Sequence, residues 1–187
     1  MNKMGKLKVY FKNGFIAFII LASFTNINSQ EKKQKEPMIL NAGFDIEGNE
    51  SYRDYWKNRN LGGIVQITKK PVHSGVRSAK FPADGSRIAY QLIKVKKNKN
   101  YKISFYYTMK STPVGALSVA VLAGHVTDLF DVTNKTIESV TLKDQISANK
   151  YVLASVSFNS GNNSKIAIFI SNVGVESRID SFKIIEN

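Results

Sequence analysis

Two histidines, fourteen acidic residues and no cysteine bound the chemistry open to this chain of 187 residues. Without cysteine there is no disulfide, no thiolate metal site and no cysteine nucleophile. His73 has no second histidine or carboxylate at a metal-ligand spacing. His125 precedes Asp128 and Asp131, and this run reads as a polar loop. No Gly-x-Ser-x-Gly elbow is present, and no glycine-rich loop opens a helix to cradle a phosphate. Sugar cleavage needs two carboxyl groups at a set separation in a cleft, and most of the acids here fall in turn segments. What remains is a ring among cations. Tyr106, Lys102 and Lys110 lie at even offsets in a segment of period two, so they share one strand face. Such a face suits stacking and the pairing of anions. Alternation brings neither histidine to it.

The elements that position these residues are strands. Tyr101, Ile103, Phe105, Tyr107 and Met109 alternate with Lys102, Ser104, Tyr106, Thr108 and Lys110. Turn residues punctuate the chain about every ten positions and predict strands over 64–69, 77–81, 87–95, 101–109, 117–123, 136–143, 151–158, 165–171 and 178–185. One helical turn is expected within 127–134. The lysine-dense run 94–102 reads as a solvated hairpin. Nine strands with no intervening helices imply an all-β, antiparallel β-sandwich of jelly-roll type.

Residues 1–29 have the form of a signal peptide. Lys3, Lys6, Lys8 and Lys12 precede an apolar run over 14–24, which is short of the roughly 20 residues a membrane span needs. Cleavage is expected near Ser29. No cysteine follows to carry a lipid, so a lipoprotein is not expected, and neither is stable membrane insertion once the leader is gone. Residues 30–36 read as a flexible tether and 37–187 as the folded domain. The whole chain carries a formal net charge of +13, and loss of the four leader lysines leaves about +9. Such an excess outside the cytoplasm favours acidic partners, among which export argues against nucleic acid.

Several segments resemble one known pattern. Asn41-Ala42-Gly43-Phe44-Asp45 is similar to the opening of carbohydrate-binding modules of families 4, 9, 16 and 22, and Trp56 stands where that pattern has its tryptophan. His73-Ser74-Gly75-Val76-Arg77-Ser78-Ala79-Lys80 resembles their His-Ser-Gly segment. Tyr101-Lys102-Ile103-Ser104-Phe105 resembles a core strand, and Arg178-Ile179-Asp180-Ser181-Phe182 resembles their closing motif. The order and spacing fit from residue 37 to the end. Asp45 departs from the usual Glu, and Ser181 from a second acid. Residues 117–175 also resemble modules that accompany alginate-degrading systems. The resemblance implies a galactose-binding-like jelly roll and a non-catalytic, exported polysaccharide-binding module, with glycan-degrading enzymes encoded separately. It also implies a structural calcium ion shared by Asp45 and Asp180, completed by carbonyls of the Ser74-Gly75 turn.

A sugar ring presents an apolar face and a rim of hydroxyls, and a uronic-acid polymer adds a carboxylate to each ring. Tyr106 is therefore the expected platform, with Lys102 and Lys110 beside it. Arg87 and Tyr90 lie on an expected neighbouring strand but on opposite faces, so only one joins the site unless a bulge intervenes, and Arg87 suits an acidic ligand. Trp56 either joins the site or packs in the core, where a lone tryptophan is commonly found. The rival readings are a lyase or hydrolase with a cryptic site and a surface module that binds protein.

Overall fold

A computed structural model describes residues 37–143 and 150–187. The expected leader and tether lie outside the described residues. Among the described residues ten strands form two five-stranded sheets. The first sheet has the order β1 (Gly63–Ile64), β4 (Arg87–Lys94), β9 (Lys165–Val173), β6 (Ala116–Ala123), β7 (Thr136–Leu142). The second has the order β2 (Gln66–Thr68), β3 (Ser78–Phe81), β10 (Ser177–Glu186), β5 (Asn100–Met109), β8 (Val152–Asn159). All pairings are antiparallel except that of the two-residue β1 with β4. This is the all-β jelly-roll sandwich that the strand pattern predicts. Among the described residues one α-helix, α1 (Leu129–Asn134), falls where one turn is expected, and Asp128 caps it by accepting Asp131 N.

Alternation explains the core. Tyr101, Ile103, Phe105, Tyr107 and Met109 of β5 turn inward and are all buried. They meet Leu117, Val119 and Val121 of β6 and Ile166, Ile168 and Ile170 of β9 across the sandwich. Each such burial contributes roughly 1.5–3 kcal/mol before entropy is counted.

Two expectations about the strands are corrected. The stretch 64–69 is two strands in different sheets, because the chain crosses the sandwich at Val65. That side chain is fully buried, and its N–H donates to Ile88 O at 2.8 Å. The run 94–102 is a crossover and not a hairpin, since β4 and β5 belong to opposite sheets. Lys96 and Lys99 in this link pair with Glu186.

The ends of the domain are tied together. Asn41 holds a left-handed turn (φ 48°), a conformation Asn tolerates, and its side chain bonds Ile46 N, Ile46 O and Tyr52 O. Phe182 N donates to Ala42 O at 3.0 Å, which joins this opening turn to the last strand. β10 is bulged between Asp180 and Lys183, with Ser181 at φ 55°. A bulge re-aims side chains, and here Phe182 packs inward at 5.0 Å from Trp56 while Ser181 turns toward the 73–77 turn.

Candidate ligand-binding face

Strands β5, β8 and β10 lie side by side, and their even-offset residues form the outer face of the second sheet. Lys102 and Ser104 register with Ser157 and Ser155 on one side and with Ile185 and Lys183 on the other. Tyr106 registers with Leu153 and Asp180. Lys102, Lys183 and Ser157 are exposed, as are the apolar Leu153 and Ile185. The face therefore mixes hydroxyls, ammonium groups and small apolar patches.

Tyr106 is here, but its ring is covered. His73 stacks on it with ring centroids 3.5 Å apart and planes 12° from parallel, and Tyr151 meets His73 edge-on at 5.8 Å. The exposed ring of this stack is His73. The platform expected of Tyr106 alone is thus a two-ring stack. Its outer member comes from a non-periodic turn, so alternation gave no sign of it.

The other expected site residues divide. Lys110 lies about 27 Å from Lys102 along the strand direction, and it pairs with Glu176 at 3.1 Å. Lys80 and Arg178 reach the same carboxylate at 3.3 and 2.8 Å. Burial works against that charge, but Lys110 with Arg178 and Lys80 outweighs it and holds Glu176 below the ordinary carboxylate value. Three cations on one acid leave this end of the face basic. Arg87 is not part of the face: β4 lies in the first sheet, where its guanidinium donates to Ile64 O. Trp56 is excluded as well, being fully buried between Phe44 and Phe182 with its indole N–H on Asn41 O at 2.9 Å.

The turn bearing His73 rests on two carboxylates. Asp180 Oδ2 accepts His73 N at 2.9 Å and Ser74 N at 3.2 Å. Asp45 Oδ1 accepts Val76 N at 2.9 Å and Arg77 N at 2.8 Å. The turn thus offers its amides to the two acids. The other oxygens, Asp45 Oδ2 and Asp180 Oδ1, flank Gly43, where an added Cβ would lie 3.2 and 3.6 Å from them. Asp180 Oδ1 also accepts Ser181 N. Burial pushes the Asp180 carboxyl up against the pull of the Ser74, His73 and Ser181 amides, and the charge of Asp45 adds to the rise. Neither acid has an ion pair among the described residues. Two hard oxygens in an open cradle fit a calcium ion, with other oxygens needed to complete the shell. No group of three or more His, Cys, Asp or Glu gathers among the described residues.

The outer face of the first sheet differs. Tyr90, Phe169, Leu122 and Ala167 form a second apolar cluster, closed over by Leu61 and Val126. His125 belongs to this cover: its Nδ1 lies 2.9 Å from Tyr90 Oη, which also accepts Val126 N. Tyr90 and Phe169 are only 4% and 7% exposed, so neither ring is free.

No protein-family model and no curated protein sequence matches the chain. Solved structures do. The chain is similar to the family 61 carbohydrate-binding module TmCBM61, solved with β-1,4-galactotriose, at TM-score 0.56 and 14% identity over 82% of this chain and 100% of that one. It is similar to the CBM22-1 xylan-binding domain of Paenibacillus barcinonensis Xyn10C at TM-score 0.52 and 16% identity, over 78% and 91%. A cyclase from Fischerella sp. TAU, solved with 4-(1H-indol-3-yl)butan-2-one, matches at TM-score 0.53 and 16% identity, over 80% and 96%. At these identities the likeness is one of fold, and this fold serves binding modules and enzymes alike.

Proposed function

We propose that this protein is an exported, non-catalytic module that binds polysaccharide on the outer face of its second sheet and prefers an acidic glycan such as alginate. The single observation that carries this reading is the exposed His73 ring stacked on Tyr106, on the sheet face that also bears Lys102 and Lys183. A ring offers the apolar face of a sugar a surface, and the ammonium groups suit the carboxylate of a uronic acid. The excess of basic residues in the chain supports the same preference. A calcium ion between Asp45 and Asp180 belongs to this reading, and so do separate enzymes that degrade the glycan.

Affinity electrophoresis against alginate and a neutral glucan tests it. Alginate retards the protein at low salt. Retardation weakens as salt rises, because the Debye length falls from about 10 Å at 0.1 M to about 3 Å at 1 M. His73→Ala abolishes retardation, and Lys102→Ala weakens it chiefly at low salt. Retardation by the glucan and not by alginate refutes the acidic preference.

A second reading, a lyase acting on acidic sugars, has one observation in its favour. His73, Tyr106 and Tyr151 gather on one face, with His73 Nδ1 3.0 Å from Ser181 Oγ. Release of unsaturated product from alginate, followed by ultraviolet absorbance, would establish that reading in place of the first.

A further inference from the structure

We infer that the cleft between the opening loop and the edge strand β2 is a second ligand site, which takes a single carboxylate-bearing sugar unit. The sugar class rests on the acidic-glycan reading of the His73 face, while the cleft has its own geometry. It has a volume of about 370 Å³ and is lined by Ser51, Tyr52, Arg53, Gln66 and Ile67. That is near the lower end of the roughly 300–1,000 Å³ of small-molecule sites, and it suits one ring better than a chain. Both walls are fixed. Tyr52 O accepts Asn41 Nδ2 at 2.9 Å, Ser51 Oγ donates to Asp54 Oδ1 at 3.2 Å, and Arg53 O accepts Trp56 N at 2.8 Å. Opposite them, Gln66 and Ile67 are held in register with Lys80 and Ala79 of β3. β2 ends its sheet, so no further strand among the described residues covers this side.

The polar groups here are unspent. Arg53 and Arg77 pair with no acid among the described residues, whereas Lys57, Lys80, Lys110, Lys135 and Arg178 each do. The acids nearest in sequence are engaged elsewhere: Asp54 holds Lys57 at 2.9 Å, and Glu50 holds Lys57 and Arg59 at 3.1 and 3.7 Å. The Arg77 guanidinium lies 3.6 Å from the centre of the Tyr52 ring, which fixes that ring and sets a second cation at the wall of the cleft. The Gln66 side chain and the Tyr52 hydroxyl have no hydrogen-bond partner among the described residues. A guanidinium grips a carboxylate with two parallel hydrogen bonds, and an amide both donates to and accepts from sugar hydroxyls. Cations without a counter-charge favour an anion over a neutral ring, and the amide and phenol favour a hydroxylated anion over a bare one. The cleft is distinct from the His73 stack but shares its sheet. Gln66 registers with Lys80 and Lys80 with Arg178, while Tyr106 registers with Asp180, two residues further along β10. Three strand spacings of about 4.8 Å and two residues of about 3.4 Å separate Gln66 from Tyr106, or about 16 Å between backbones. One polyuronate chain can therefore occupy both sites, and linked occupancy raises its affinity without any new contact.

Amide shifts of the isotope-labelled mature protein are followed by NMR during titration with a mannuronate disaccharide, a neutral glucose disaccharide and acetate, all at one ionic strength. The mannuronate disaccharide, too short to join the two sites, is expected to move two separate sets of amides. One set is at Tyr52, Arg53, Gln66 and Ile67, and the other at His73 and Ser74. At the cleft the glucose disaccharide is expected to move none, and acetate to need a concentration about tenfold or more higher. Arg53→Ala and Gln66→Ala are each expected to lose the first set and keep the second. Their melting temperatures should stay close to wild type, since neither side chain bonds the rest of the fold among the described residues. His73→Ala is expected to do the reverse. A mannuronate decasaccharide is expected to bind wild type about a hundredfold more tightly than the disaccharide, and Arg53→Ala to lose that gain. A cleft set that is missing in wild type, or that survives in both Arg53→Ala and Gln66→Ala, overturns the second site, and the glycan reading stands if the His73 set is present. An equal response of the cleft to acetate or to the glucose disaccharide overturns the acidic-sugar ligand. A gain that persists in Arg53→Ala overturns joint occupancy by one chain. A cleft set without a His73 set overturns the His73 reading and leaves the cleft.

Discussion

Replacing Trp56 by Phe separates a core tryptophan from a ligand platform. The indole is fully buried, sits 5.0 Å from the rings of both Phe44 and Phe182, and donates to Asn41 O at 2.9 Å. Phenylalanine keeps most of the ring contact and loses the donor. Asn41 O still accepts Phe44 N, so the lost bond costs about 1 kcal/mol and not the larger penalty of an orphaned carbonyl. The space left by the second ring adds a cavity cost of about 24 cal/mol per Å³, which for a void of a few tens of Å³ is about 1 kcal/mol. The sum, about 2 kcal/mol, lowers the urea midpoint by about 1 M at a slope of about 2 kcal/mol/M. Urea unfolding followed by far-ultraviolet circular dichroism measures it, and alginate retardation is measured beside it. The expected result is a lower midpoint with unchanged retardation. Because Trp56 is the single tryptophan, its fluorescence in the native protein should report unfolding and ignore added glycan. An unchanged midpoint with lost retardation would refute the placement of Trp56 in the core.

In chelator, the raised carboxyl of Asp180 opposes folding once it ionises, so its stability contribution is full below the ordinary carboxylate range and is lost as pH rises through the raised value. The melting temperature of Asp180→Asn relative to wild type should therefore climb with pH across that window, and a difference that stays flat would show that the buried charge carries no such cost. Intact-mass measurement of the exported protein should place the mature start near Ser29 or Gln30, and retention of Met1 would rule out the cleaved leader.

Strand pattern was legible because period two is a local property. The alternation from Tyr101 to Met109 gave the buried face of β5 residue by residue. Sheet membership was not legible, because alternation says which side of a strand is buried and not which sheet holds the strand. Arg87 was therefore grouped with Tyr106, although the chain crosses the sandwich between β4 and β5. His73 was missed for a related reason. It sits in a turn without periodicity, and its ring reaches Tyr106 only because Asp180, the register partner of Tyr106, takes the amide of His73 from 107 residues away in sequence. The meeting of Asp45 with Asp180 was anticipated from resemblance.

The two sheet faces make opposite uses of the same resources. On the first sheet the chain leaves β6 at Ala123 and returns at Lys135, whose carbonyl accepts Ala123 N at 2.7 Å, so the excursion is closed at its base. That loop spends its Val126 and the hydrogen-bonding capacity of Tyr90 on covering the sheet, while Asn58 Nδ2 fixes it by donating to Val126 O at 3.0 Å. What the loop turns outward is Phe130, 78% exposed, between Asp128, which caps the helix, and Asp131, which pairs with Lys135 at 2.7 Å. On the second sheet the turn at 73–77 lays His73 over Tyr106 and edge-on to Tyr151, and so replaces the ring it hides with another, exposed ring on the face that also bears Lys102 and Lys183. The second face thus presents an exposed stacked ring and ammonium groups together, whereas on the first sheet the rings of Tyr90 and Phe169 are covered. That pairing of ring and cations, more than the number of aromatic residues, is the ground for proposing the second sheet as the ligand face.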